Sequence, residues 1–207
     1  MKVGILGAGN LGNAIAKKLV KQRHQVFLSF SKDTARMVSF ADSIGARFGS
    51  PQEAAQFGDV VVLAAPWGAV REALEQAGSL DGKIIWDCTS ALKPDLSGLL
   101  IGTTTSAGEE VARLAPTAKI VKAIPPFAES LDKLSSTDRV RPASFVCGDD
   151  RSAKLIISEL IEHLGAEPVD AGPLSAARFA EPAAMLLVHL AYKERLGNHI
   201  GLMFLRY

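Results

Sequence analysis

Short apolar runs alternate along the chain with segments whose apolar positions recur every three or four residues, which predicts strands alternating with helices. Lys2–Leu6 reads as the first strand. Leu11, Ile15 and Leu19 then mark one buried face of a helix over Asn10–Gln22. Gln25–Ser29 reads as a second strand, Asp33–Ile44 as a helix, and Ala46–Phe48 as a short strand. The spacing of Ser50, Pro51 and Glu53 predicts a capping box with proline at the first helical position. Asp59–Ala64 is apolar almost throughout, as a central parallel strand should be. A helix over Val70–Ala77 and a strand over Lys83–Asp87 follow. Ser106–Leu114 reads as a short helix capped by Ser106 and Glu109, and Lys119–Ile124 as the strand after it. Pro125-Pro126 breaks this alternation, and the polar stretch Ser130–Pro142 reads as a surface loop. A strand over Ala143–Cys147, an amphipathic helix over Ser152–Leu164 and a last strand over Glu167–Asp170 complete the series. Leu174–Leu196 reads as one long helix bent at Pro182, which has no backbone donor. The alternation predicts an α/β fold: a mostly parallel sheet covered on both faces, with a helical C-terminal region over about 173–207. No repeat, low-complexity tract or linker interrupts it, so residues 1–207 read as a single domain.

Between the first strand and the first helix stands Gly7-Ala8-Gly9-Asn10-Leu11-Gly12, a G-x-G-x-x-G sequence. In that setting it has a mechanical meaning. Gly7 permits the tight turn, Gly9 lets the main chain approach a pyrophosphate, and Gly12 lets helix and sheet pack closely. The helix start offers unpaired N–H groups and a positive dipole end to phosphate. The chain therefore reads as a Rossmann-type, doubly wound nucleotide-binding fold.

The next question is which dinucleotide it takes. An NAD-specific unit usually carries Asp or Glu at the end of the second strand, where it meets the adenosine ribose. Here that stretch is Phe30-Ser31-Lys32, and the first acid is Asp33. Ser31 and Lys32, with Arg36 one turn on, suit the 2′-phosphate of NADP; read otherwise, Lys32 and Arg36 are solvated helix charges. NADP is thus expected over NAD. After the fourth strand come Ala65, Pro66 and Trp67, at the sheet edge where ligands bind in such folds. Trp67 either covers ribose or nicotinamide or staples the helix that follows. Thr89 and Ser90, after the fifth strand, either bond cofactor or substrate or serve a turn.

Composition narrows the partners. A net charge of +1 over 207 residues gives no reason to expect nucleic acid or a charged membrane surface. Cys88 and Cys147 lie in apolar strand-like segments and read as core residues in a reducing cytosol. The glycine motif starts almost at Met1, where a cleavable leader would remove it, so a cytoplasmic location is expected. Ala183–Leu190 is too short to span a bilayer. Of the histidines, His24 follows a helix, His163 sits within one and His199 lies near the chain end. His189 reads as a core histidine. No His/Cys/Asp spacing resembles a metal site, and no nucleophile elbow or Walker sequence is present. Met185–Leu187, Leu190, Leu202–Leu205 and Tyr207 make an apolar tail, from which a two-fold homodimer is expected.

Four pieces together carry a family resemblance: GILGAGNLGNAIAKKL, the APW after the fourth strand, VCGDD at 146–150 and DAGPLSAAR at 170–178. They resemble the F420-dependent NADP reductases and the cytosolic domains of the six-transmembrane epithelial antigen metalloreductases, over nearly the whole chain. The resemblance implies one Rossmann domain with an extended sheet and a C-terminal helical region. It also implies hydride transfer between NADP and a deazaflavin (F420) or flavin lying face to face with the nicotinamide. Carried over, Gly7, Ala8, Gly9, Asn10, Leu11 and Gly12 would hold the pyrophosphate. Ser31 and Lys32 would meet the 2′-phosphate; Phe30 and Arg36 beside them are also expected among the cofactor-binding residues. Ala65, Pro66 and Trp67 would border ribose and nicotinamide, with Thr89 and Ser90 beyond. Pro173, Leu174 and Ser175 would lie near the second substrate.

The chain departs from the family at three places. Phe30-Ser31-Lys32 stands where Gly-Ser-Arg is common, Thr89-Ser90-Ala91 where Thr-Asn-Pro is, and Pro125-Pro126 where a polar pair is. Transfer between stacked rings needs proximity and orientation rather than an acid or base, so no catalytic residue is assigned. Two other readings stand beside this one. One is a nucleotide-binding sensor or subunit without turnover. The other is an imine or keto reductase, which would need a proton donor, and no Lys or Tyr is evident at a strand end for it.

Overall fold

The computed structural model describes residues 1–205; Tyr207, part of the expected apolar tail, lies outside the described residues. Strands β1 (Lys2–Leu6), β2 (Gln25–Ser29), β3 (Arg47–Phe48), β4 (Val60–Leu63), β5 (Ile84–Asp87) and β6 (Lys119–Lys122) are parallel and ordered β3-β2-β1-β4-β5-β6. That is the doubly wound Rossmann order. Strands β7 (Ala143–Gly148) and β8 (Glu167–Gly172) extend the same sheet, β7 antiparallel to β6 and β8 parallel to β7. Helices α1 (Asn10–Lys21), α2 (Thr34–Ile44), α3 (Pro51–Phe57), α4 (Val70–Ala77), α5 (Ala107–Leu114), α6 (Ala128–Leu131), α7 (Arg151–Leu164) and α8 (Ala177–Val188) complete it.

The central strands are buried on both faces, as their unbroken apolar sequence requires. One face packs Val3, Ile5, Val60 and Trp86 against α1 and α7 through Ile15, Leu19 and Ile157. The other packs Leu6, Val61 and Ile85 against α3, α4 and α5 through Ala54, Leu74 and Val111. Four helices start on a side chain that accepts from their own first turn: Asp33 for α2, Ser50 for α3, Ser106 for α5 and Asp150 for α7. The capping box of Ser50 and Glu53 forms as its spacing predicts.

Three expectations are corrected. The polar stretch from Ser130 is not loop throughout, because α6 includes Ser130 and Leu131. Leu131 is fully buried against α1, and the Ser130 hydroxyl donates to the Asn198 carbonyl at 2.7 Å. The long C-terminal helix is composite: a 3₁₀ turn (Leu174–Ala176), then α8, then a π-helical turn (His189–Lys193). α8 runs on through Pro182. His189 is not a core residue; its side chain is 50% exposed and pairs with Glu194 at 3.2 Å. The buried histidine is His24, just beyond α1, whose Nε2 lies 2.9 Å from Nδ1 of His163 on α7. Burial first, and His163 second, hold the His24 ring below its ordinary pKa.

Candidate functional site

β1 ends at Leu6 and the chain turns sharply. Gly7 takes φ +121°, and a Cβ there would sit 2.6 Å from the Ala64 carbonyl carbon. A Cβ on Gly12 would meet the Gly7 carbonyl oxygen at 1.9 Å, so Gly12 sets how closely α1 approaches β1. The turn is tied to β2 by Gly7 N–H to the Ser29 carbonyl (3.1 Å) and Ala8 N–H to the Phe30 carbonyl (3.3 Å). β1 and β2 therefore end together, and the chain leaving β2 borders the glycine turn.

A cavity of about 680 Å³ opens there, within the range of small-molecule sites. The glycine turn lines it with Gly7, Ala8, Gly9 and Asn10. The chain after β2 adds Phe30, Ser31, Lys32, Asp33 and Arg36, and Pro66 comes from the chain after β4. These include nine residues expected from sequence: Gly7, Ala8, Gly9, Asn10, Phe30, Ser31, Lys32, Arg36 and Pro66.

The remaining six lie outside this lining. Leu11 and Gly12 face the packed side of the turn. Ala65 is buried in the core, and Trp67 packs on that core beside a separate groove with Arg71 and Arg113. Thr89 is buried, its carbonyl accepting from Lys122, and Ser90 is half-buried next to it.

Three observations bear on a bound dinucleotide phosphate. α1 has Gly9 at its N-cap, no side-chain cap and no acid in its first turn, so its first amide groups have no internal acceptor. A Cβ built on Gly9 would meet nothing within 4 Å, so the main chain is open to a close approach. Oδ1 of Asn13, which lines the cavity, is a buried acceptor with no hydrogen-bond partner among the described residues. The residues fit the group. Asn13 was not read from the sequence, because a polar residue one turn into a helix carries no signal of its own.

At the other end of the cavity Lys32 and Arg36 are exposed cations. The Ser31 hydroxyl is engaged in a local turn with Asp33, donating to its carbonyl at 3.0 Å. The Asp33 carboxylate is held at the start of α2, 2.9 Å from the Arg36 amide. No carboxylate stands at Phe30, Ser31 or Lys32, where an NAD ribose would be read.

Sequence reasoning missed a second polar centre. Lys122, the last residue of β6, is buried with its Nζ 3.0 Å from Asp87 of β5, 3.3 Å from Glu181 of α8 and 2.5 Å from the Thr89 carbonyl. The Glu181 carboxylate also accepts from the Ala107 and Gly108 amides, at 2.9 and 3.0 Å, at the start of α5. Burial alone would lower the Lys122 ammonium, but Asp87 and Glu181 outweigh it and hold its pKa above the ordinary value. Close by, Arg178 forms a bidentate pair with Glu109, at 2.9 and 2.6 Å. A lysine does therefore stand at a strand end, but it is sealed and fully paired. The signal in the sequence was Lys122 itself, a charge at the end of an otherwise apolar run.

Residues 2–91, from β1 through the turn after β5, match the family model of NADP oxidoreductase, coenzyme F420-dependent. The family resemblance holds. Over 187 residues, 90% of the chain, it is 27% identical to the rat metalloreductase STEAP3 and spans 37% of that protein's length. A candidate F420-dependent NADP reductase from Arthrobacter sp. FB24 superposes with a TM-score of 0.86, at 24% identity and full coverage of both chains. A reductive aminase from Aspergillus terreus, solved with NADPH and ethyl levulinate, superposes with a TM-score of 0.70 at 18% identity, covering 94% of this chain and 63% of its own. The chain shares the fold of these reductases, and over residues 2–91 it is similar to the F420-dependent NADP oxidoreductases.

Proposed function

We propose that this protein moves a hydride between NADP(H) and a small-molecule ring acceptor of the deazaflavin (F420) or flavin class. The observation that carries the reading is the uncapped start of α1, open to a cavity that Lys32 and Arg36 border with no acid at the end of β2. The Asn10, Leu11 and Gly12 amides take the pyrophosphate, and Lys32 and Arg36 take the 2′-phosphate. Pro66 borders the ribose that leads to the nicotinamide. The cofactor supplies the hydride; the chain binds, orients and excludes water. Thr89 and Ser90, which lie outside this cavity, are then expected toward the nicotinamide end. The apolar residues exposed on the C-terminal region, Phe179, Leu186, Leu196 and Leu205, support a homodimer, which a solution mass measurement tests. Among the described residues no helix is long and apolar enough to cross a membrane.

Anaerobic NADPH oxidation with coenzyme F420, FMN or FAD as parallel acceptors tests the reading. Rapid oxidation with one of them, and weaker binding of NADH than of NADPH, is the expected result. Tight NADPH binding without oxidation by any acceptor supports the second reading, a nucleotide sensor. One observation favours that alternative: the cavity includes neither Thr89 nor Ser90, so its walls serve the adenosine and phosphate half. The sealed Lys122 argues against an imine reductase that uses this lysine as proton donor.

A further inference from the structure

Phe30 is in a conformation its side chain disfavours. Its φ is +56°, in the left-handed region where a bulky residue is an outlier. Five non-glycine residues among those described have positive φ: Arg23, Phe30, Leu96, Thr103 and Arg195. Of these Phe30 alone lines the dinucleotide cavity. The backbone there is not free to relax. The Phe30 carbonyl accepts from Ala8 and the neighbouring Ser29 carbonyl from Gly7, so the chain leaving β2 is held against the glycine turn. Glycine would adopt this φ without strain. Strain of this kind persists where the surrounding structure imposes it, and it clusters at ligand clamps.

The ring has two contacts to offer. It packs on the buried cluster that contains Leu6 and Phe27, and it shares the cavity lining with Met37, Gly49 and Pro51. In doubly wound sheets the end of the second strand is where the adenosine ribose is read. A wall there made of an aromatic ring and apolar side chains, bordered by Lys32 and Arg36, matches an adenosine that carries a phosphate. We propose that Phe30 is an aromatic wall for the adenosine end of the dinucleotide, kept in place against backbone strain. The proposal rests on the dinucleotide reading above.

Three ligands separate the ends of the cofactor: NADPH, adenosine 2′,5′-bisphosphate and reduced nicotinamide mononucleotide. Each is titrated into the wild type, Phe30→Leu, Phe30→Ala and Phe30→Gly, with thermal melts of the same samples. Phe30→Leu keeps apolar bulk and removes the aromatic face. It is expected to melt with the wild type and to lose about tenfold in affinity for NADPH and for the bisphosphate. Binding of the mononucleotide should be unchanged. Phe30→Ala and Phe30→Gly both remove the ring and should lose at least as much affinity, and Phe30→Gly should melt about 2–4 °C above Phe30→Ala because only glycine releases the strain. Wild-type affinity in Phe30→Leu overturns the aromatic wall and leaves the dinucleotide reading standing. A Phe30→Gly protein that melts no higher than Phe30→Ala overturns the strain. If the wild type binds neither NADPH nor the bisphosphate, both the reading and the proposal fall.

Discussion

Helices α1 and α5 begin in opposite states. α1 starts on Gly9, with no side-chain cap and a cavity in front of it. α5 starts on Ser106, and its Ala107 and Gly108 amides are already bonded to the buried carboxylate of Glu181. Both starts have the same electrostatic need, because a helix N-terminus favours negative charge. The chain satisfies one with its own side chain and leaves the other facing a cavity. Glu181 is thus an internal counterpart of the phosphate proposed for α1, and Lys122 is the cation that makes its burial tolerable. The difference teaches that the glycines of the turn act partly by what they withhold. A serine or aspartate at Gly9 would complete the helix from within.

The largest effect is expected at the closed end. Lys122→Met leaves Asp87 and Glu181 buried without their cation and should cost about 3–5 kcal/mol of stability, read from urea unfolding. A loss below 1 kcal/mol would show that the carboxylates do not depend on it. At the open end, Gly9→Asp gives α1 the kind of carboxylate that α5 has. NADPH affinity should fall about 10- to 100-fold, while stability holds or rises by a few tenths of a kcal/mol. Calorimetric titration beside thermal melts reads both, and unchanged affinity would break the comparison. Lys32→Ala or Arg36→Ala should weaken NADPH about tenfold and leave NADH alone. Equal loss for both nucleotides would mean that neither cation reads the 2′-phosphate.

The smallest effect belongs to the far end of α1. Because the His24 pKa is lowered in the folded state, the unfolded chain binds protons more readily as the pH falls below about 6.5. Stability from this group is therefore full above that pH and is lost as the pH falls through it. Unfolding midpoints at pH 7.5 and 5.5 should differ in the wild type and differ less in His24→Gln.

What the sequence disclosed depended on whether a feature was local. The order of strands and helices, the Ser50–Glu53 box and the glycine turn are written in neighbouring residues, and they were legible. So were most of the cavity residues after β1 and β2, which are contiguous in the chain. The Lys122 centre joins β5, β6 and α8, and no local pattern announces it. Trp67 was ambiguous because the same loop borders both the cavity and the groove beside α4, and a side chain's direction out of a loop has no periodicity to follow. α6 was missed because a single buried residue, Leu131, anchors a helix too short to show a repeat.

The reach of Glu181 also bears on the order in which the protein is made. Its bonds to Gly108 and Ala107 span 73 and 74 residues of chain, whereas β1, β2 and β4, which frame the glycine turn, all lie before residue 64. On the ribosome, the half that carries the glycine turn has every strand it needs long before α8 emerges. Until then the start of α5 is without its carboxylate, and the Lys122 ammonium has Asp87 but not Glu181. The second half is the last to settle, and it is the stretch of synthesis in which a nascent chain has most to gain from a chaperone.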